Sequence, residues 1–202
     1  PAGLSINAAA SLGSAKYVKG QLDSVFHRDP NVGATVRGGQ ITYQMELSNS
    51  GNVDFQNLQI VDVLPYNTPA PGNVGVRDLV ALGTAWTPQL ADPVAISPPI
   101  PGLTVRYSTE INPCRPNLAP SNPGCVPMVD GVAPGAGVWS LNLPSNPTAV
   151  RSIKFDFGSY VLLANQAIRF TFPMFAPANA PLAGAGPNNV LGDNDDTNVA
   201  WN

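Results

Sequence analysis

The 202-residue chain is poor in charge, with 10 Lys and Arg, 13 Asp and Glu and one His, giving a net charge of −3 at neutral pH. Its basic residues are dispersed and form no cluster of the kind that follows a phosphate backbone. Nucleic acid is therefore not an expected partner. No apolar run reaches the roughly 18 residues of a membrane-spanning helix, so we also expect no membrane insertion.

The N-terminal residues, PAGLSINAAASLGSAK, lack the charged start and compact apolar core of a signal peptide. We therefore expect a soluble chain that is either a processed protein or a fragment of a longer one.

The sequence also lacks the usual components of a catalytic or metal centre. Its one histidine, His27, lies in the turn-like FHRDPN, away from any cysteine, so a Ser/His/Asp or Cys/His centre is not expected. The acidic run GDNDDTN offers Asp193, Asp195 and Asp196 to calcium, but not in EF-hand order, and a solvated turn is the favoured interpretation. We predict no multiple-turnover enzyme, no resident metal and no cofactor.

Two cysteines, Cys114 and Cys125, bracket the proline-rich loop CRPNLAPSNPGC. We predict a disulfide between them, because it would restrict an otherwise floppy segment, and an oxidising, secreted context follows from it. The alternative is two free buried thiols.

What the chain has in quantity is Pro, Gly, Asn, Ser, Thr and Val, which favours short strands joined by turns and predicts an all-β fold. The clearest strand is QITYQMELS, and further alternation marks LQIVDVLP, RSIKFDF and QAIRFTF. A first strand is expected within SAKYVKGQLDSVF and a last one within DTNVAWN. Between Pro65 and Pro147, where sixteen of the 22 prolines lie, we expect an elaborated insertion at about residues 66–147.

One residue contradicts the strand pattern. In LQIVDVLP, alternation places Asp62 on the same side as Leu58, Ile60 and Leu64. A carboxylate among apolar side chains is costly unless it is paired, hydrogen-bonded or protonated. Asp62 is therefore the first candidate for a functional residue, although it could instead cap a backbone turn before Pro65.

The stretch GGQITYQMELSNSGNVDFQNLQIVDVLP resembles the Ig-like repeat domains found in tandem on bacterial cell-surface proteins, adhesins and pilus subunits. The lead AKYVKGQLD and the ending AWN are similar to one subgroup of these proteins. The resemblance covers about residues 14–65 and 150–202. It implies an Ig-like antiparallel β-sandwich in which residues 1–13 form a lead or linker and residues 14–202 one domain.

The resemblance also implies a covalent cross-link, because many related domains join a first-strand lysine to a last-strand asparagine with the help of a buried acid. By position, Lys16 would be the nucleophile and Asp62 the acid, and Asn202 would be the acyl partner. Lys19 and Asn198 stay open as alternatives. Alternation favours Lys16, since it places this residue with Leu12 and Val18 and away from Lys19.

We therefore expect a structural module of an extracellular bacterial surface or cell-wall protein, stabilised by an autocatalytic Lys–Asn isopeptide bond and linked to neighbouring domains. The alternative is an adhesin module that recognises a host glycan or protein through the 66–147 insertion. Trp86, Tyr107 and Trp139 lie in that insertion, either as a binding platform or, as we favour, in its core.

Overall fold

The computed structural model describes residues 8–29, 31–65, 86–110 and 139–182. In these ranges the regular structure is almost entirely β, as predicted, with one short 3₁₀ helix at Pro147–Ala149. The strands are β1 (Leu12–Gly20), β2 (Gln40–Asn49), β3 (Gln59–Val63), β4 (Thr104–Ser108), β5 (Ser152–Asp156) and β6 (Ala167–Phe175). The described ranges contain no helix of the length and apolarity needed to cross a membrane.

The strands form two antiparallel sheets of three strands each, in the orders β1-β2-β6 and β3-β5-β4. In the first sheet Lys16 of β1 lies opposite Met45 of β2. In the second, Asp62 of β3 lies opposite Ile153 of β5. Among the described strands, β1 and β3 are therefore each at the edge of a sheet.

Alternation places the core as predicted from the sequence. In β2, Ile41, Tyr43, Met45 and Leu47 are buried while the intervening residues are partly exposed. The same period of two buries the inward residues of β5 and β6 and the segments beside them, which include Ile153, Phe155, Phe157, Phe170 and Phe172. Each strand therefore has one face in the core and one face toward solvent.

Side chains of the two sheets meet in one hydrophobic core. The ring of Phe155 in β5 lies 5.1 Å from that of Phe170 and 5.2 Å from that of Phe172, both in β6. All three rings are fully buried. Burial of one phenylalanine contributes roughly 1.5–3 kcal/mol, so this cluster is a principal source of cohesion between the sheets.

The proline-rich middle contributes directly to this fold. Its strand β4 is the third strand of the second sheet and pairs with β5 along its length. Isolated bridges join Gln89 to Phe175 and Ser97 to Thr171 beside β6. The described parts of the predicted insertion are thus integrated in the two sheets.

The three aromatic residues of this middle region belong to the packed interior. Tyr107 and Trp139 are only 4% and 8% exposed. Trp86 is partly buried and packs against the core. This arrangement agrees with the core interpretation of these side chains.

Residues just before β1 are also tied to the domain. Backbone hydrogen bonds join Ser50 to Ser11 and Asn52 to Ala9, and the Asn52 side chain accepts a hydrogen bond from the Ala9 N–H at 2.7 Å. A Cβ atom on Gly51 would lie 2.3 Å from the Ala9 carbonyl oxygen, so only glycine permits this approach. Ala9 and Ser11, which lie in the predicted lead, are therefore hydrogen-bonded to the turn that follows β2.

Candidate functional site

The site is built around Asp62, on the inner face of β3. Its strand neighbours on that face, Leu58 and Leu64, are buried, and Asp62 itself is 5% exposed. The pattern LQIVDVLP therefore does place a carboxylate in the apolar interior. Such a group requires a partner, because its desolvation otherwise costs several kcal/mol.

The partner is Lys16 from the other sheet. Its ammonium nitrogen Nζ donates hydrogen bonds to both carboxylate oxygens of Asp62, at 2.6 Å to Oδ1 and 2.7 Å to Oδ2. The side chain of Lys16 is 20% exposed and that of Asp62 only 4%. The contact is thus a short, two-pronged ion pair that links the edge strands β1 and β3 across the core.

An aromatic ring forms another wall of the site. Lys16 Nζ lies 4.2 Å from the ring centroid of Tyr43, which is on the neighbouring strand β2. The Tyr43 ring is in turn 5.6 Å from that of Phe172. A cation over an aromatic face is attracted by the ring quadrupole, so Tyr43 helps to hold the ammonium group in position.

The protonation of Lys16 reflects two opposing effects. Burial lowers the pKa of Lys16 below its usual value, although the charge and hydrogen bonds of Asp62 act in the opposite direction. An amine is nucleophilic only when neutral, and here the adjacent carboxylate can accept its proton. Burial of Lys16 therefore favours the nucleophilic form of its amine, and the Asp62 carboxylate is in direct hydrogen-bonding contact with that amine.

The rival lysine lies elsewhere. Lys19 is on the opposite face of β1, where its Nζ donates a hydrogen bond to the Ser24 carbonyl oxygen at 3.2 Å. The structure thus brings Lys16, and not Lys19, to Asp62. The candidate acyl partners Asn198 and Asn202 lie outside the described residues.

The remaining sequence-predicted residues do not form a second site in the described ranges. Cys114 and Cys125 lie outside them, as do the calcium candidates Asp193, Asp195 and Asp196. No group of three or more His, Cys, Asp or Glu side chains in the described part of the chain is arranged to hold a metal ion.

His27 lies in a loop that is hydrogen-bonded to β1. Its backbone exchanges two hydrogen bonds with that of Val18. Its ring nitrogen Nε2 is 3.5 Å from a carboxylate oxygen of Asp23.

One structurally important polar residue, Asn49, was not predicted from the sequence. Asn49 is 2% exposed, and its Nδ2 donates to the carbonyl oxygens of Val53 and Leu162 while its Oδ1 accepts from the Gly51 N–H. The signal was present, because alternation places Asn49 on the same side as Leu47 and Met45. The logic that singled out Asp62 applies equally to this amide.

The chain matches no family model, no curated protein and no solved structure. The geometry of the Lys16–Asp62 pair is therefore the observation that bears most directly on function.

Proposed function

We propose that this protein is a structural module of an extracellular bacterial surface protein, an adhesin or stalk segment with an Ig-like β-sandwich, stabilised by an internal amide cross-link. Lys16 is its nucleophile, Asp62 its proton carrier, and Asn202, or alternatively Asn198, its acyl partner. The observation that carries the proposal is the contact of Lys16 Nζ with both oxygens of a buried Asp62, at 2.6 and 2.7 Å.

The chemistry is an exchange of one amide for another. Asp62 takes a proton from the Lys16 ammonium, and the free amine attacks the side-chain carbonyl carbon of the asparagine. A new C–N bond to Lys16 forms, the C–N bond to the original amide nitrogen breaks, and Asp62 passes to that nitrogen the second proton that the Lys16 nitrogen loses. Ammonia leaves, and the net change is the loss of one NH₃ with no oxidation or reduction.

Positioning supplies the rate, since an amide is a poor electrophile. Lys16 is fixed by Asp62 on one side and by the Tyr43 ring on another. An amine that is also held against the asparagine carbonyl carbon would reach an effective molarity of roughly 10⁵ M or more. The reaction needs to occur only once in each molecule, so this is a self-modification rather than multiple-turnover catalysis.

The benefit is stability. A bond between the first strand and the C-terminal segment would close nearly the whole chain into one covalent loop. On the chain-entropy model, such a loop removes unfolded-state freedom worth roughly 4–5 kcal/mol. That gain suits a module exposed to proteases outside the cell, in agreement with the resemblance to surface-protein repeats.

The decisive experiment is the intact mass of the folded, reduced protein. We expect a mass lower than the sequence mass by one ammonia, with tandem mass spectrometry locating the branched peptide at Lys16. Asp62→Ala and Lys16→Arg should restore the full mass. Lys19→Arg is the matched control and should not. A full sequence mass for the wild type would overturn the cross-link and leave the pair as a structural ion pair.

The second candidate function is a binding module, favoured by one observation. Arg106, in the proline-rich middle, lies directly opposite Lys154 on the outer face of the second sheet. Substitution of Arg106 or Lys154 tests this function separately from the structural one, because a binding module would lose its ligand while the variant protein still folds.

A further inference from the structure

The outer face of the second sheet carries two basic side chains in one row. Arg106 of β4 is the register partner of Lys154 in the central strand β5. On the other side of Lys154 the row continues to Val61 of β3. The row therefore contains two like charges and no acid. Like charges directly opposite each other destabilise a sheet, which makes their pairing here a feature to explain.

One of the two cations is held in place by an aromatic ring. Lys154 Nζ lies 5.0 Å from the ring centroid of Trp139. Trp139 is 8% exposed, so the ring is a fixed wall and not a free surface. Arg106 and Lys154 are themselves only partly buried and remain accessible to solvent.

The next row on the same face carries an acid, Asp156. Asp156 accepts hydrogen bonds from the Gln59 side-chain amide and from the Gly158 N–H, both at 3.0 Å. Within the described ranges, neither the Arg106 nor the Lys154 side chain forms a hydrogen bond or an ion pair with a carboxylate.

The electrostatics of the pair also favour the binding of an anion. Burial and the nearby Arg106 guanidinium lower the pKa of Lys154, and Asp156 only partly opposes them. An oxyanion placed between the two cations would offset both effects. Arginine offers a planar fork of N–H donors to such an anion, and lysine adds a compact point charge.

We propose that Arg106 and Lys154 form a binding site for the carboxylate or sulfate group of an acidic glycan. Two cations match one such group, not the row of phosphates along a nucleic acid. The next row on the same face lies two residues, roughly 7 Å, along the strands and holds Gln59, Asp156 and Thr104, whose side-chain oxygens can accept hydrogen bonds from sugar hydroxyls. The site deepens the binding-module function and does not depend on the Lys16 cross-link.

The test is a titration of the whole 202-residue protein followed by NMR, with three probes. These are inorganic sulfate, a sulfated heparin hexasaccharide and maltohexaose, a hexasaccharide with no charged group. We expect saturable shifts at the backbone amides of residues 106 and 154 with the sulfated hexasaccharide, tighter binding than for sulfate alone, and none with maltohexaose.

Single substitutions test whether Arg106 and Lys154 bind the anion. Arg106→Gln and Lys154→Gln should each weaken hexasaccharide binding by about tenfold or more, as expected for the loss of a charged hydrogen bond. Arg106→Lys retains the charge and should lose less. The matched control is Arg169→Gln, since that arginine lies in the other sheet and pairs with Glu46.

Spectra with wild-type dispersion will show that each variant folds. Equal binding of sulfate and hexasaccharide would overturn the glycan assignment. An equal loss in Arg169→Gln, or no binding of either anion, would overturn the site itself.

Discussion

Two lysines of this protein both have a lowered pKa, but the charges beside them have opposite signs. Burial lowers the pKa of both Lys16 and Lys154. Lys16 faces a buried carboxylate inside the core, and Lys154 faces Arg106 on the outer surface of a sheet. The comparison shows that burial alone does not assign a role to a lysine. The neighbouring charge decides whether it becomes a fixed internal pair or a cation open to an external anion.

The difference originates in strand alternation. Lys16 shares the inner face of β1 with Val18, which packs against the core. Lys154 lies between the buried residues Ile153 and Phe155 and therefore points the other way. A one-residue shift in either strand would exchange an interior position for an outer one.

The largest expected effect comes from removing the acid of the internal pair. Asp62→Ala leaves the Lys16 ammonium in the core without its carboxylate, and we expect the free energy of unfolding to fall by at least about 3 kcal/mol. Loss of the proposed cross-link would add to this figure. Reversible urea unfolding measures it, with Asp54→Ala as an exposed aspartate control, and a loss below 1 kcal/mol would show that the pair contributes little.

Removing the second charge should restore part of that loss. In the Asp62→Ala background, Lys16→Met eliminates the buried cation that has lost its carboxylate, so we expect the double variant to be more stable than the single by about 2 kcal/mol. This comparison does not depend on the cross-link, since neither variant can form it by the proposed route. A double variant less stable than Asp62→Ala would mean that Lys16 stabilises the fold through the packing of its side chain and not through its charge.

The same single variant should acquire a pH dependence. Burial lowers the pKa of Lys16, and Asp62 is the group that opposes the shift. Between the lowered pKa and the ordinary value of 10.5, the unfolded state binds more protons than the folded state, so stability rises as pH rises. Asp62→Ala should therefore become more stable from neutral pH toward pH 10.5, relative to the Asp62→Ala/Lys16→Met variant. Parallel stability curves for the two proteins would contradict this.

The smallest effect is expected at the outer pair. Lys154→Met removes both the repulsion with Arg106 and the attraction of the cation to the Trp139 ring, so the two losses oppose each other and stability should change by about 0.5 kcal/mol or less. Arg169→Met, which breaks the exposed pair with Glu46, should leave the melting temperature unchanged. A clear loss of stability in Lys154→Met would show that the lysine is already paired in the folded protein.

Much of the framework was predictable because alternation is a local property. The residues of β2, β5 and β6 that form the core could be identified from a period of two, and so could the anomaly at Asp62. The proximity of Lys16 to Asp62 was predicted only from a resemblance, since no local pattern indicates which strands of different sheets face each other. A pairing across a core is set by topology and not by neighbouring residues.

The role of the middle segment was harder to foresee. Strand β4 has only five residues, TVRYS, and is surrounded by prolines and glycines that normally mark loops. Its place beside β5 is fixed by pairing with a distant strand and by burial of Tyr107. Asn49 was overlooked for a different reason, because Asn in a segment with Ser and Gly is typical of turns even when it is buried.

The directions of β1 and β6 have a mechanical consequence. Both are antiparallel to β2, so they run parallel to each other, and the chain enters β1 at Leu12 and leaves β6 at Phe175, at opposite ends of the sheet. Tension applied between those two points acts along the strands and loads the rungs of the ladder together, in shear. The Ala9–Asn52 hydrogen bonds extend the loaded region beyond Leu12. Even before any covalent bond forms, this sheet is oriented to resist stretching and not to unzip one rung at a time.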